Sequence, residues 1–253
     1  MPATIEAGLW GLLAGSSLVI GALIGWFAPL SRRIVAGIMA FGAGVLISAL
    51  SFELIDDAWR AEGLAPVAIG LLAGALLFTG ANHVLGLWGA RHRKRAAVDK
   101  REEDLSRNRD NSGALALGAL LDGIPESIVI GLGLLRGGAV GWVTVAAVFL
   151  SNLPEGLSSA AGMRGEGRSM RYTFGLWVGI ALCSGVAAAA GYALFGDASP
   201  ALIAGVQAVA AGAILAMIAD TMIPEAFEGT HDFAGLITVL GFLTAFALSK
   251  LGG

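Results

Sequence analysis

Charge and sulfur are both scarce in this sequence. Only 14% of the 253 residues are charged, well below the share a water-soluble domain of this size carries. The single cysteine, Cys183, excludes an intramolecular disulfide and a thiolate metal cluster. A lone cysteine in an apolar stretch reads as a small packing residue. No GxxxxGK[ST] run is present, which argues against nucleotide-driven pumping. No HExxH and no nucleophile–base pair is present, which argues against an enzyme. No nucleic-acid partner is expected. The opening "MPATIEAGLW" has no basic leader region, so the first apolar segment is expected to stay as a membrane helix. No C-terminal lipidation motif is found.

What is abundant is apolar. Hydrophobic residues make up 56%, mean hydropathy is +0.77, and there are 38 glycines. Glycine at this level suits close helix packing in lipid. Apolar runs of about 20 residues recur, the length a helix needs to cross a bilayer. Eight spans are predicted, at 7–28, 34–57, 65–89, 113–135, 139–163, 172–195, 200–224 and 233–251. The fold class is therefore all-α, a polytopic integral membrane protein. The Ala, Leu and Gly content does not fit the short alternating segments of a barrel. The chain reads as one transmembrane domain, 1–253. Its one long polar segment, 91–112, is a charged loop between the third and fourth helices.

Lys and Arg set the orientation. One side carries Arg32, Arg33, the run from Arg91 to Arg109, and Arg164, Arg168 and Arg171. The other carries Arg60, Arg136 and Lys250. The first side is expected in the cytoplasm, with both termini outside and the chain in the cell membrane, against lipid. An internal echo is also present: the second span ends "SFELIDDAW" and the seventh "ADTMIPEAF". Helices one to three and six to eight could be inverted repeats around a central pair.

That pair holds the chemistry. "DGIPES" places Asp122, Pro125 and Glu126 inside the fourth span. "SNLPEG" places Ser151, Asn152, Pro154 and Glu155 inside the fifth. An acid in a membrane span costs about 2.5–3.5 kcal/mol on insertion scales, so such residues face a cavity, a partner or a cation. No Lys, Arg or His lies deep in either span, and a bound cation would balance the charge. Asp122 and Glu126 are four apart and share a helix face, as do Ser151 and Asn152 with Glu155. Two such faces meeting would gather carboxylate and amide oxygens, the ligands of a divalent cation. Each proline leaves one carbonyl without its donor, at Leu121 and Leu150. The alternative is that the prolines are packing kinks and the acids are protonated and hydrogen-bonded between helices.

These two motifs resemble the paired signatures of the ZIP (Zrt-, Irt-like) divalent-metal transporters. There, His-Asn-x-Pro-Glu-Gly on helix four meets His-Asn or Gln-Asp before x-Pro-Glu on helix five. The resemblance covers most of the chain and implies eight helices in a 3+2+3 arrangement. It implies that Glu126 and Glu155 bridge metal and that Asn152 is a ligand. Asp122 stands in the place of the helix-four His, Ser151 in that of the helix-five His or Gln. Gly123 replaces the helix-four Asn. Glu53 lies near where the family places a His, Met or acid on helix two. "CSGVAAAAGY" offers no helix-six acid.

The implied cargo is a divalent ion such as Zn²⁺, Mn²⁺, Fe²⁺, Co²⁺ or Cd²⁺. It would be moved inward as substrate rather than kept as cofactor, with the flanking repeats rocking around the central pair. Loss of both histidines leaves a nearly all-oxygen site, which favours harder ions such as Mn²⁺. A non-transporting sensor or scaffold and a metal-dependent intramembrane enzyme are the competing functions. A second copy of the chain is a candidate partner.

Other positions carry two readings each. Asp56 and Asp57 form an interfacial acidic cap or a cation funnel. Asp220 and Glu225, with Glu228, His231 and Asp232, could mark an exit path. His83 is expected as a buried packing histidine, and Met217 and Met222 as core. Trp10, Trp26, Trp59, Trp88 and Trp142 fall near span ends, as an interfacial belt does.

Overall fold

The computed structural model describes residues 2–28, 30–85, 111–136, 142–165 and 167–251; of 111–117 and 136 only the backbone is described. Among the described residues all regular structure is helical. α1 is Ala3–Phe27. α2 begins at Arg32, where the Ser31 hydroxyl accepts from the Ile34 amide at 3.4 Å and satisfies an open helix-end donor. It runs to Ala49, loosens into a π-helical turn at Leu50–Ile55, and finishes as Asp56–Glu62. Gly63, at φ 79°, ends it in a conformation that glycine adopts without strain. α3 is Leu64–Leu85, α4 Asn111–Gly133 and α5 Trp142–Gly165.

α6, Met170–Phe195, is capped by Ser169, and α7 by Ser199, with Pro200 at its first position. α7 repeats the design of α2. Pro200–Met217 has 18 α-helical residues, as does Arg32–Ala49. A π turn at Ile218–Met222 and a short helix at Ile223–Thr230 follow. α8 is Ala234–Leu251.

The helix bounds differ from the expected spans by a few residues, most at the ends of α2 and α7. Both helices run on past the apolar segment. On α2 the extension holds an ion pair between Asp56 and Arg60, one turn apart at 2.8 Å. The expected loop 91–112 lies outside the described residues up to 110, and 111–112 open α4. The expected end of α3 and start of α5 also lie outside them.

By length and composition, Ala3–Phe27, Arg32–Glu62, Leu64–Leu85, Met170–Phe195 and the continuous stretch Pro200–Leu251 are apolar enough to cross a membrane. The chain is an all-α polytopic membrane protein. Its outer faces are apolar, with Leu64, Leu76 and Leu194 each more than 70% exposed. Its interior is built of small residues: Ala7, Ala22, Ala40, Ala43, Ala147, Ala188, Ala208 and Ala211 are all fully buried.

Small residues let backbones touch. A methyl group on Gly44 would overlap the Thr238 carbonyl, and one on Gly241 the Phe41 carbonyl, so α2 and α8 lie backbone to backbone. Gly212 meets the Leu71 carbonyl and Gly74 that of Val209, which joins α3 to α7 in the same way. Gly21 and Gly156 join α1 to α5, against the Leu153 and Leu18 carbonyls. Gly131 and Gly191 join α4 to α6, against Ala188 and Ile128.

Two groups of helices result. α1, α4, α5 and α6 hold together, with α1 also packed on α6. Arg164 on α5 donates to the Trp26 carbonyl at the end of α1, and Trp26 meets Phe174 of α6 edge-on at 6.1 Å. α2, α3, α7 and α8 form the other group, and the two meet chiefly along α2 with α5 and α4 with α7.

Gly212→Val drives a branched side chain into the Leu71 carbonyl. It is expected to destabilise the protein by about 1–3 kcal/mol, read as a lower thermal midpoint in detergent. Gly205→Ala, with nothing within 4 Å of the added carbon, should leave the midpoint unchanged or raise it.

Candidate metal site

Both motif prolines sit inside continuous helix, Pro125 in α4 and Pro154 in α5. Hydroxyls crowd the same turns: Ser127 donates to the Gly123 carbonyl at 2.7 Å and Ser151 to that of Val148 at 2.9 Å. Pro154 cannot donate to the Leu150 carbonyl. That oxygen points at Gly42 of α2, where an added carbon would lie 3.2 Å away. A bare glycine thus lets α2 approach α5 at the proline.

A cavity opens where the two helix groups face each other. α4 contributes Glu126 and α5 contributes Ser151, Asn152, Glu155, Ser158 and Ser159. The facing group contributes Met39 from α2 and Met217, Met222 and Glu225 from α7. The cavity volume is about 10 Å³, room for roughly one water molecule. Glu126 is only 2% exposed, and Ser151 and Asn152 are also buried. Ser158 donates to Glu225 Oε1 at 3.1 Å, a hydrogen bond that crosses between the groups.

The expected residues therefore separate. Glu126, Ser151, Asn152 and Glu155 come together on one cavity. Asp122 is buried one turn from Glu126 but is not part of the lining. Glu53 faces α8, where its Oε1 accepts from Ser249 at 3.0 Å. Beside it Phe52 packs on Phe242 and Phe246, and Lys250 Nζ sits 5.5 Å from the Phe52 ring centre. Among the described residues, no three His, Cys, Asp or Glu side chains close into a group that could hold a metal. The remaining donors on the cavity are amide, hydroxyl and thioether.

Glu225 reaches this cavity, where sequence reasoning gave it only a share in an exit path. A signal was present: Pro224-Glu225 is a third Pro-Glu pair after Pro125-Glu126 and Pro154-Glu155. Met39 carried no such signal. Met217 and Met222 are buried as expected, and they also face the acids. His83 is exposed rather than buried, because it falls on the outward face of α3 beside Val84. Asp220, Glu228, His231 and Asp232 are exposed around the end of α7.

Buried acids inside an apolar helical bundle are characteristic of membrane proteins that handle ions or protons. No protein-family model matches the sequence. The chain is 30% identical over 225 residues to the zinc transporter ZupT of Escherichia coli O7:K1 (strain IAI39 / ExPEC), covering 86% of this chain and 85% of that protein. The zinc transporter ZupT of Escherichia coli O127:H6 (strain E2348/69 / EPEC) matches with the same identity and coverage. The chain belongs to the ZIP family of transporters, which move divalent metal ions across membranes.

Ser249→Ala removes the partner of Glu53 without touching the cavity. It should lower stability by about 1 kcal/mol in thermal unfolding. The Zn²⁺ affinity of the cavity site, measured by titration calorimetry in detergent, should not change.

Proposed function

We propose that this protein carries divalent transition-metal ions into the cytoplasm through a carboxylate-rich site on α4 and α5. The carrying observation is the shared cavity of Glu126 and Glu155 at the junction of the two helix groups, with Asn152 and Ser151 beside them. In this reading the metal is cargo. Glu126 and Glu155 hold it, while Asn152 and the Ser151 oxygen complete the shell. Asp122 and Glu53, outside the cavity lining, are proposed as oxygen donors that the ion meets away from it. Both relatives are zinc transporters, which supports zinc as one cargo.

The same reading takes the chain as eight crossings in a 3+2+3 arrangement, with α1–α3 and α6–α8 as inverted repeats. The matched π turns of α2 and α7 support it. So do the glycines: the pairing of Gly44 with Thr238 and Gly241 with Phe41 recurs as Gly212 with Leu71 and Gly74 with Val209. The Arg-rich loops favour the cytoplasm at the end bearing Arg32 and Arg164. The cavity lies toward that end. It follows the second half of α5, through Ser158 and Ser159, to Glu225.

Packing changes the expected motion. Glycine contacts bind α4 to α6 and α5 to α1, so the metal-bearing pair travels with α1 and α6. The rearrangement is then a slide of that group along α2, α3, α7 and α8, rather than two repeats rocking around a fixed pair. Protons compete with metal for the carboxylates, which couples release to pH.

Uptake into proteoliposomes loaded with a metal-sensitive dye tests this. Glu126→Gln and Glu155→Gln should each cut Zn²⁺ flux by more than about tenfold. Full flux in both variants would remove these residues from the site. Metal binding without flux for Zn²⁺, Mn²⁺, Fe²⁺, Co²⁺ or Cd²⁺ would make the protein a sensor that keeps the fold.

A further inference from the structure

We propose that Gln207 and Asp57 line the outward path to Glu126, in the places that Met39 and Glu225 hold in the inward cavity. The inference rests on the inverted-repeat reading above. Its register comes from the glycine contacts. Gly44 of α2 corresponds to Gly212 of α7, since each abuts a carbonyl on the matching partner helix. The step back from Gly44 to Met39 equals the step back from Gly212 to Gln207. The step forward from Gly44 to Asp57 equals that from Gly212 to Glu225. When inverted repeats exchange conformations, the lining of one cavity is replaced by its counterpart on the other side.

A second observation concerns Gln207 alone. It is 3% exposed, and its Oε1 is buried with no hydrogen-bond partner among the described residues. Its buried neighbours on α7 are Ala204, Ala208 and Ala211. Leucine would fill the same volume without an unsatisfied oxygen, so packing gives no reason for the amide. An amide oxygen is a ligand for a divalent cation shedding water. Its counterpart Met39 lines the inward cavity, so the repeat assigns Gln207 to the outward side, on the helix that meets α4.

Asp57 supplies the outer charge. It is half-buried on the last segment of α2, and a carboxylate there concentrates cations at the mouth. The ion meets Asp57 first, then Gln207, then Glu126.

Uptake kinetics of the full-length protein in proteoliposomes, with Zn²⁺ as the probe, give the test. Gln207→Leu and Asp57→Asn should each raise KM about tenfold, with kcat within about twofold of the parent. Gln207→Glu, which keeps an oxygen and adds charge, should lower KM. In a Cys183→Ala background, a membrane-impermeant thiol reagent should modify Gln207→Cys only from outside and Met39→Cys only from the cytoplasmic side. An unchanged KM in Gln207→Leu overturns the assignment, and so does a thiol at that position which the external reagent never reaches. Loss of flux in Glu126→Gln and Glu155→Gln with Gln207→Leu unaffected refutes this inference alone. Full flux in the two glutamate variants refutes the site itself.

Discussion

Glycine set against a backbone carbonyl is the contact on which this bundle depends. Lipid gives helices no hydrophobic reason to associate, so close van der Waals approach must supply it. Five helix pairs, α1–α5, α1–α6, α2–α8, α3–α7 and α4–α6, have contacts of this kind with glycines from both partners. Such contacts fix register as well as distance. A shift of one residue would bring a side chain against the neighbouring backbone. The positions of Glu126, Glu155 and Glu225 on one cavity follow from that register, since each rides on a helix held by it.

Much of this was legible in the sequence. Runs of apolar residues located the helices to within a few positions, because hydrocarbon thickness allows little choice. The two Pro-Glu motifs marked α4 and α5, because acids at membrane depth need a reason. Other features depend on contacts between distant segments. Nothing in the composition of α1 or α6 says that they hold the motif helices while α2 and α7 stand opposite. Met39 looks like any buried methionine until α5 is seen across from it. Glu53, in a favoured position by resemblance, is occupied by Ser249, a residue 196 positions away in the chain. His83 is exposed where burial was expected, because an exposed position and a buried one differ there only by helix rotation.

The cavity is chemically two-sided. The α4–α5 wall offers carboxylate, amide and hydroxyl oxygens. The α2–α7 wall offers three thioethers and the Glu225 carboxylate. Three of the six methionines of the chain gather there. A flexible thioether adapts to a moving neighbour better than a branched side chain does. The hydrogen bond from Ser158 to Glu225 is a polar link across the junction, and a slide of one group along the other would break it.

The glycine register also exposes a mismatch. Gly131 and Gly156 are exchanged by the proposed two-fold, and counting back from them sets Glu126 against Ser151 and Ile130 against Glu155. Ser158 and Ser159 fall against Gly133 and Leu134. The proposed frame is symmetric, but past the glutamates the cavity's polar lining continues down α5, through Ser158 and Ser159. Ile130 and Leu134 are buried and apolar where the other half is wet. A carrier that alternates in the way proposed above would have an intrinsic lean. With nothing bound, its two orientations differ in how much oxygen they leave in contact with hydrocarbon. The empty carrier then rests with its wet side open, like a turnstile weighted to stop in one position.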